Sequence, residues 1–348
     1  MTKNEITGRL KDGGLDASST NRNAAVYVTE ARSGRADAGW FAYRIVCDSA
    51  ETERRARSIL SRWYDIEASG DVWRLKSKNR IPLMAIKRGA APSTNGYMYL
   101  EAAQANSTVS MVSTLETAPN LEYSTDGVTW QEWQHTTADG THTFDTITLG
   151  AVGDKVYFRG DNPDGLAFLQ EGAEMPNFSN FVMTGAVKGG GNVMSLLDKT
   201  EQLTEVPDYG FALLLAIMGE DVEPVLLTPP SMDTITTIGD NGCNSMYFGC
   251  TSLTSAAAMP AVTTIGDNGC IKMYAGCTSL TSAADMPSLT TIGDYGCGNM
   301  YAGCTFNMSN DGTTLNFAFP TPPITAGETT FSTAHDVAQW MGNTHGFN

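Results

Sequence analysis

The sequence predicts a multi-domain, mainly β protein with a small α+β N-terminal domain, a β-sandwich and a C-terminal solenoid. Three observations predict it: an internal repeat with a 27-residue period, a series of short alternating runs between turn residues, and a composition of 35 Gly with 17% charged residues in 348. Such a composition and a fixed period favour β and repeat structure over helical bundles. We expect the domains at residues 1–90, 91–188 and 189–348.

The N-terminal domain is predicted from strands around one helix. Residues 1–22 are polar and predict a flexible or partner-ordered arm, with plain terminal disorder as the alternative. Asp48 and Glu51 resemble a helix-capping pair, which predicts a helix over Ala50–Asp65. Alternating apolar residues predict strands at Val26–Ala31, Trp40–Cys47, Val72–Lys76 and Ile81–Ile86. The segment Ala90–Gly96 is typical of a linker.

Positive charge is concentrated in this first domain. Residues 1–90 hold 17 of the 22 Lys and Arg but only 11 of the 38 Asp and Glu, although the whole chain has a formal charge of −16. Interleaved acidic residues and the lack of a reading motif argue against nucleic-acid binding. We therefore expect either a solvated helix face or a docking surface for an acidic protein shell, and we favour docking. Its candidate residues are Arg54, Arg55, Arg57 and Arg62.

The second domain is predicted from regularly spaced short strands, which are typical of a β-sandwich. Asp126-Gly127 predicts a tight hairpin turn. Trp130 and Trp133 lie an odd number of residues apart in one strand, so they should face opposite sides. We expect Trp130 to be buried and Trp133 to be exposed, with core packing or sugar stacking as the two alternatives. The predicted strands are Tyr97–Ala102, Ser107–Val112, Leu121–Ser124, Val128–Trp133, Thr143–Leu149, Lys155–Arg159 and Phe178–Val187.

The third domain is predicted from three near-identical units that each begin with Thr-Thr-Ile-Gly-Asp, at residues 236, 263 and 290. Stacked units cover one another's apolar sides, so equivalent side chains should form ladders. Gly219 and Pro230 indicate a degenerate unit ahead of these three, with a short insertion at 231–235. Residues 316–323 and 331–340 are predicted to cap the far end. The expected ladders are Ile238/Ile265/Ile292, Cys243/Cys270/Cys297, Met246/Met273/Met300 and Cys250/Cys277/Cys304.

The repeated unit Met-Tyr-Ala-Gly-Cys-Thr-Ser-Leu-Thr-Ser-Ala, followed by Met-Pro and Thr-Thr-Ile-Gly-Asp, resembles the BspA-type leucine-rich repeat. The resemblance covers residues 190–325. Proteins with this repeat include bacterial surface proteins and fibre or tail proteins of phages that infect gut anaerobes. The resemblance implies a leucine-rich-repeat solenoid with an adhesin or virion-structural role.

Three kinds of recurring residue, tyrosine, aspartate and cysteine, are candidates for functional sites. Tyr247, Tyr274 and Tyr301 are candidates for an exposed recognition stripe, with structural packing as the alternative. Asp240, Asp267 and Asp294 would line one edge, where calcium binding competes with simple turn formation. The repeat cysteines are expected to be buried and reduced, with disulfides or zinc as alternatives.

The sequence contains no catalytic motif, so we expect neither enzyme activity nor a cofactor. The longest apolar run, Phe211–Met218, is too short to span a bilayer. No apolar segment follows Met1, which predicts synthesis without a signal peptide. We expect a phage fibre, tail or capsid-decoration subunit, homo-oligomeric, that contacts other virion proteins and a host surface glycan or protein. The alternatives are a bacterial surface adhesin and a carbohydrate-active enzyme with paired carboxylates.

Overall fold

A computed structural model describes residues 3–12, 14–18, 20–30, 40–61, 64–69, 71–77, 96–170, 173, 175–217 and 225–347. It confirms a mainly β protein, with 31% strand and 9% helix in several sheets. The chain divides into two compact units, Met1–Lys87 and Arg88–Asn348. The predicted strand Ile81–Ile86 and residues 90–95 of the predicted linker lie outside the described residues. The boundary expected at residues 188/189 stays a prediction.

The first unit is a five-stranded sheet with two helices. Its strands follow the order β1-β2-β3-β5-β4, in which β1 and β2 are parallel and the other pairs are antiparallel. The N-cap of the second helix is Ser49, whose hydroxyl accepts the Thr52 N–H at 3.1 Å, so the predicted Asp48 pair is not the cap. The elements are α1 Lys3–Asp12, β1 Ala17–Ser18, β2 Val26–Glu30, β3 Trp40–Cys47, α2 Ala50–Ser61, β4 Tyr64–Ser69 and β5 Val72–Ser77.

The prediction of a flexible arm over residues 1–22 is wrong. The helix α1 and the strand β1 occupy much of this segment. Ile6 and Leu10 stand four residues apart on one helical face, and both are fully buried in the core that contains Trp73. Two apolar residues at this spacing are enough to attach a polar helix to a sheet. Because most residues of the segment are polar, the sequence pattern did not reveal these two buried positions.

Two antiparallel sheets open the second unit. One has five strands in the order β16-β6-β13-β8-β9, and the other has the order β10-β11-β7-β15-β14 with β12 also paired to β7. The strands are β6 Met98–Ala102, β7 Ser107–Ser113, β8 Leu121–Ser124, β9 Gln131–Glu132, β10 His135–Ala138, β11 Thr141–Phe144, β12 Ile147–Leu149, β13 Lys155–Gly160, β14 Ala167–Phe168, β15 Asn177–Thr184 and β16 Val187–Gly190.

The two sheets pack face to face around one tryptophan. The ring centroid of Trp133 lies 5.0 Å from those of Phe144 and Phe158 and 6.0 Å from that of Phe181. Phe158 belongs to the five-stranded sheet, whereas Phe144 and Phe181 belong to the other. The predicted strand Phe178–Val187 is interrupted at Gly185, where φ is +69°, and its two halves enter different sheets.

Stacked coils form the rest of the second unit. Four short strands pair in parallel, and Ile238, Ile265 and Ile292 are successive partners, so the predicted isoleucine ladder is confirmed. A hairpin then extends the sheet, and a helix follows it. These elements are β17 Glu205–Val206, β18 Thr237–Ile238, β19 Thr264–Ile265, β20 Thr291–Ile292, β21 Ile324–Ala326, β22 Thr329–Phe331 and α3 Ala334–Trp340.

Consecutive tight turns follow each of the strands β18 and β19. Alternate N–H groups, such as those of Cys243 and Tyr247, donate to carbonyls of the next coil at 2.7 and 2.9 Å. The N–H groups between them close turns onto the carbonyl three residues earlier. Gly249 and its equivalents Gly276 and Gly303 have φ of +74°, +79° and +77°, which only glycine adopts without strain. The backbone of this segment is thereby hydrogen-bonded from coil to coil.

Both ends of the stack are covered by other parts of the same unit. At the first coil, the Phe181 N–H donates to Leu214 O at 2.8 Å, so the strand β15 covers this end of the stack. In the last coil, Asn299 N and Tyr301 N donate to Trp340 O and Met341 O at 2.8 Å. The end of the helix α3 thus replaces the next coil.

The degenerate first coil is longer than the 27-residue repeat, and its extra residues do not lie at 231–235, where we predicted an insertion. Met232 and Ile235 make the same turn hydrogen bond as Met259 and Val262, which lie 27 residues later. This register leaves no room for an insertion at 231–235. The extra residues lie between Ile217 and Leu227, because Leu227 O accepts from Thr254 as Thr254 O accepts from Thr281.

Candidate functional site

The tyrosine ladder is not an exposed stripe, so the prediction of a recognition surface at Tyr247, Tyr274 and Tyr301 is wrong. All three side chains are fully buried. Their rings stack with centroids 5.1 and 5.6 Å apart and interplanar angles of 3° and 5°. The flat parallel arrangement follows from equivalent positions in successive coils. The packing alternative is the one that the structure supports.

The hydroxyl groups of the ladder differ in their partners. Tyr274 accepts the Ala257 N–H at 3.0 Å, and Tyr301 accepts the N–H of the equivalent alanine, Ala284, at 2.9 Å. The hydroxyl of Tyr247 is buried and has no partner among the described residues.

A proline explains the missing partner of Tyr247. Pro230 stands 27 residues before Ala257 and therefore takes its place in the preceding coil. Proline has no N–H to donate. The first coil thus contains the structural irregularity that is expected of a terminal repeat.

Trp133 is 1% exposed, so the predictions that it is exposed and that it stacks on a sugar are wrong. Its indole N–H donates to Asp145 O at 2.7 Å, which satisfies the polar edge inside the core. Trp130 is the partly exposed member of the pair and lies under the Arg159 guanidinium at 4.2 Å. Both residues flank the short strand β9, where the alternation that we assumed over six residues does not hold.

The arginines of α2 differ in their surroundings. Arg54 and Arg55 are exposed. Arg57 is bound to Glu53 at 2.8 Å and lies over the Trp73 ring at 4.8 Å, so part of its charge is neutralised within the helix. Arg62 lies outside the described residues. Docking through these residues stays a prediction.

The aspartates of the Gly-Asp turns bind backbone of the neighbouring coil. Asp240 Oδ1 accepts the Asp267 N–H at 2.8 Å, and Asp267 Oδ1 accepts the Asp294 N–H at 2.7 Å. Each carboxylate therefore caps the turn of the next coil. A Cβ on Gly266 would lie 2.5 Å from Asp240 Oδ1, which explains the glycine beside each aspartate. Within the described ranges, no cluster of three or more His, Cys, Asp or Glu side chains forms a metal site.

The repeat cysteines are free thiols buried in the core, as expected. Cys277 Sγ donates to Tyr247 O at 3.1 Å, and Cys304 Sγ donates to Tyr274 O at 3.2 Å. Burial raises the pKa of Cys250 to about 12. The Cys250 thiol is therefore protonated and unreactive at neutral pH.

The candidate site is a shallow pocket of about 450 Å³ in the C-terminal cap. Two aromatic rings, Phe331 and Trp340, stack at 4.6 Å with an interplanar angle of 24°. The remaining lining is polar and comprises Thr329, Thr330, Asp336 and Gln339. We call this the cap pocket.

The cap pocket is built by the hairpin β21–β22 and the helix α3. Thr333 and Asp336 form a capping box at the start of the helix. The Thr333 hydroxyl, followed by backbone N–H groups, holds the pKa of Asp336 below its usual range. Asp336 is thus an ionised carboxylate in the pocket wall at neutral pH. Val337 and Met341 are fully buried and attach the helix to the last coil.

Sequence reasoning placed Phe331 and Trp340 in a cap but not in a site. The signal that was available is a Thr-x-x-Asp capping box that is followed by Gln339-Trp340 at the end of a short helix. Comparison with family models, with curated proteins and with solved structures finds no match to this chain. Among the helices that the structure describes, none combines the length and the apolar character needed to cross a membrane.

Proposed function

We propose that this chain is a structural subunit of a phage virion, a fibre, tail or capsid-decoration protein, that presents a binding surface to the host cell. Two packed sheets form a β-sandwich, and residues 189–348 form a leucine-rich-repeat solenoid with a 27-residue period. The N-terminal unit attaches the subunit to the particle through Arg54 and Arg55. The cap pocket contacts the host.

The observation that carries this proposal is the unbroken series of hydrogen bonds from the strand β15 to the helix α3. It runs from Phe181 N through the coils to Met341 O. A backbone that is tied at each coil resists bending, so the cap pocket is held at a constant distance from the two sheets. Rigid presentation of a shallow site suits attachment by many weak contacts, since many copies on one particle raise the avidity.

The location is tested on particles purified from the host that produces the chain. We expect peptides of this chain among the structural proteins, and antibodies against the whole chain should label fixed positions in immunogold electron microscopy. Fab fragments should reduce adsorption of particles to cells. Recovery of the chain in the bacterial envelope, and not in particles, would support the surface-adhesin alternative and contradict the proposal.

The docking role of the arginines is tested by charge reversal. The double variant Arg54→Glu/Arg55→Glu should be absent from assembled particles while it folds normally. Lys272→Glu reverses an exposed charge in the third coil and should be incorporated as the wild type is. Equal incorporation of the two variants would exclude docking through α2.

A further inference from the structure

The last coil carries an exposed tyrosine where the two coils before it carry asparagine and the first coil carries the half-buried Tyr209. Tyr295 stands 27 residues after Asn268, which itself follows Asn241 by the same interval. All three residues adopt positive φ, 53° for Tyr295 and 55° for the asparagines. Asparagine enters this left-handed conformation readily, whereas a bulky aromatic residue does not.

Stability does not explain this tyrosine. Its side chain is 66% exposed, so it gains little from burial while its backbone is strained. Residues that are held in unfavourable conformations cluster at ligand-binding sites. The ring of Tyr295 is therefore available for contact with a ligand.

Gly298 connects this tyrosine to the cap pocket. A Cβ at Gly298 would lie 3.5 Å from Trp340 Nε1 and 3.5 Å from the Cβ of Tyr295. The equivalent residue of the preceding coil is Ile271, whose side chain would fill that space. Glycine keeps the edge of the indole open, and it makes Tyr295 and the cap pocket parts of one surface.

The polar groups of this surface match the hydroxyl groups of a sugar. The side chain of Gln339 is exposed and makes no hydrogen bond within the described part of the chain. Asp336 uses Oδ2 to bind the N–H groups of Ser332 and Thr333 at 3.2 and 2.9 Å, and its carboxylate forms part of the pocket lining. Amide and carboxylate groups beside an aromatic ring provide the hydrogen bonds and the stacking face that pyranose rings use.

Charge selects the class of sugar. The chain has a formal charge of −16, and the only ionised group in the lining of the cap pocket is the carboxylate of Asp336. An acidic saccharide would be repelled, whereas a neutral one would lose nothing. The pocket volume of about 450 Å³ lies in the ordinary range for small ligands.

We propose that the cap pocket, together with Tyr295, binds neutral pyranose units of a cell-surface glycan. A pyranose ring packs on the aromatic surface of Trp340 and Tyr295. Gln339 and Asp336 hydrogen-bond to its hydroxyl groups. This inference rests on the proposed attachment function and specifies the chemistry of its ligand.

The test is electrophoresis of the full chain in native gels that contain mannan, galactan or dextran, with polygalacturonate as the anionic probe. We expect retardation by at least one neutral polysaccharide and none by polygalacturonate. Gln339→Ala should weaken the apparent affinity about threefold to tenfold, the usual value of one hydrogen bond. Tyr295→Asn introduces the residue of the two preceding coils and should weaken binding while it relieves backbone strain.

A matched control is available in the second coil, which begins at Thr236. Phe248 is 42% exposed and stands where Ala275 and Ala302 stand in the later coils. Phe248→Ala therefore also removes an exposed aromatic ring by restoring the residue of the repeat, but away from the cap pocket. Its mobility in every gel should equal that of the wild type.

Three results would overturn the inference: no retardation by any of the neutral polysaccharides, retardation by polygalacturonate alone, or unchanged binding of Tyr295→Asn and Gln339→Ala. If attachment persists after the cells are treated with periodate but is lost after they are treated with protease, the ligand is a peptide. This result would also exclude the inference. Immunogold labelling separates this outcome from the proposed function. Labelled particles whose subunit binds no neutral glycan contradict only the present inference, and glycan binding by a chain absent from particles contradicts only the virion assignment.

Discussion

The two-sheet layer and the stacked coils bury their aromatic residues in different ways. In the layer, Trp133 contacts Phe144, Phe158 and Phe181, which come from three separate strands. In the coils, each ladder tyrosine stacks on its own copy from the next coil. One core is therefore a unique cluster and the other is a repeated contact.

The difference determines how a single substitution acts. A change in the cluster removes contacts with several strands at once and has no second copy. A change in a ladder affects one coil and its two neighbours, and the remaining coils keep the same interactions. The variants below compare the two regions directly, beginning with the largest expected effect.

The largest effect is expected for Trp133→Ala. The substitution leaves a cavity at the centre of the cluster and should lower the free energy of unfolding by about 3–5 kcal/mol. Urea titration followed by fluorescence measures the change. Val128→Ala, at a side chain that is 80% exposed, should stay within about 0.5 kcal/mol of the wild type. A loss for Trp133→Ala no larger than that of the control would mean that the cluster is not the centre of this core.

Removal of one hydroxyl from the ladder should have a smaller effect that depends on the coil. Tyr274→Phe leaves the buried Ala257 N–H without its acceptor and should cost about 1–3 kcal/mol. Tyr247→Phe removes a buried hydroxyl that has no partner, so it should be neutral or stabilising. Thermal unfolding of the two variants side by side provides the comparison, and equal losses would contradict the assignment of Pro230 as the cause.

A turn that occurs in both regions should respond to acid in the same way in each. Ser124 to Thr129 and Ser309 to Thr314 share the pattern Ser-x-Asp-Gly-x-Thr. Backbone N–H groups, first those of Thr129 and Thr313 respectively, hold the pKa of Asp126 and of Asp311 far below the ordinary value. A carboxylate with a lowered pKa stabilises the fold above the pKa of the unfolded chain, about 3.9, and loses this contribution as the pH falls.

Asp126→Asn and Asp311→Asn should therefore lower the melting temperature at pH 7 and reduce its dependence on pH below about 4. Calorimetry between pH 7 and pH 2.5 measures both quantities. Glu132→Gln changes an exposed carboxylate in β9 and serves as the control. If one Asp variant keeps the full pH dependence, the two turns are not equivalent.

The smallest expected change is in the reactivity of the thiols. Burial, followed by the charges of Glu53 and Asp48, raises the pKa of Cys47 to about 11, and burial raises that of Cys304 to about 11. The folded protein should react slowly with a disulfide reagent at pH 8, and all seven thiols should react in guanidinium chloride. Fast reaction of several thiols in the folded state would contradict burial of the cysteine ladders.

The sequence by itself determined the stacked part of this protein more fully than the rest. Ile238, Ile265 and Ile292 recur at one interval, and a side chain that repeats at the period of a stack must meet its own copy whatever the remaining fold is. Burial of the repeat cysteines follows from the same argument. The virion role, the docking arginines and the resemblance to a known repeat remain predictions.

Only the tertiary structure decided which aromatic rings are exposed. Trp133 is buried and Trp130 is not because the strand β9 is two residues long, and the register of its neighbours sets the face of each side chain. The ladder tyrosines are buried in the core. Trp340 lies in the wall of the cap pocket because the hairpin β21–β22 and the helix α3 meet on the last coil. The repeat period predicts which residues occupy equivalent positions. Contacts with segments that do not repeat determine whether those positions are buried or exposed.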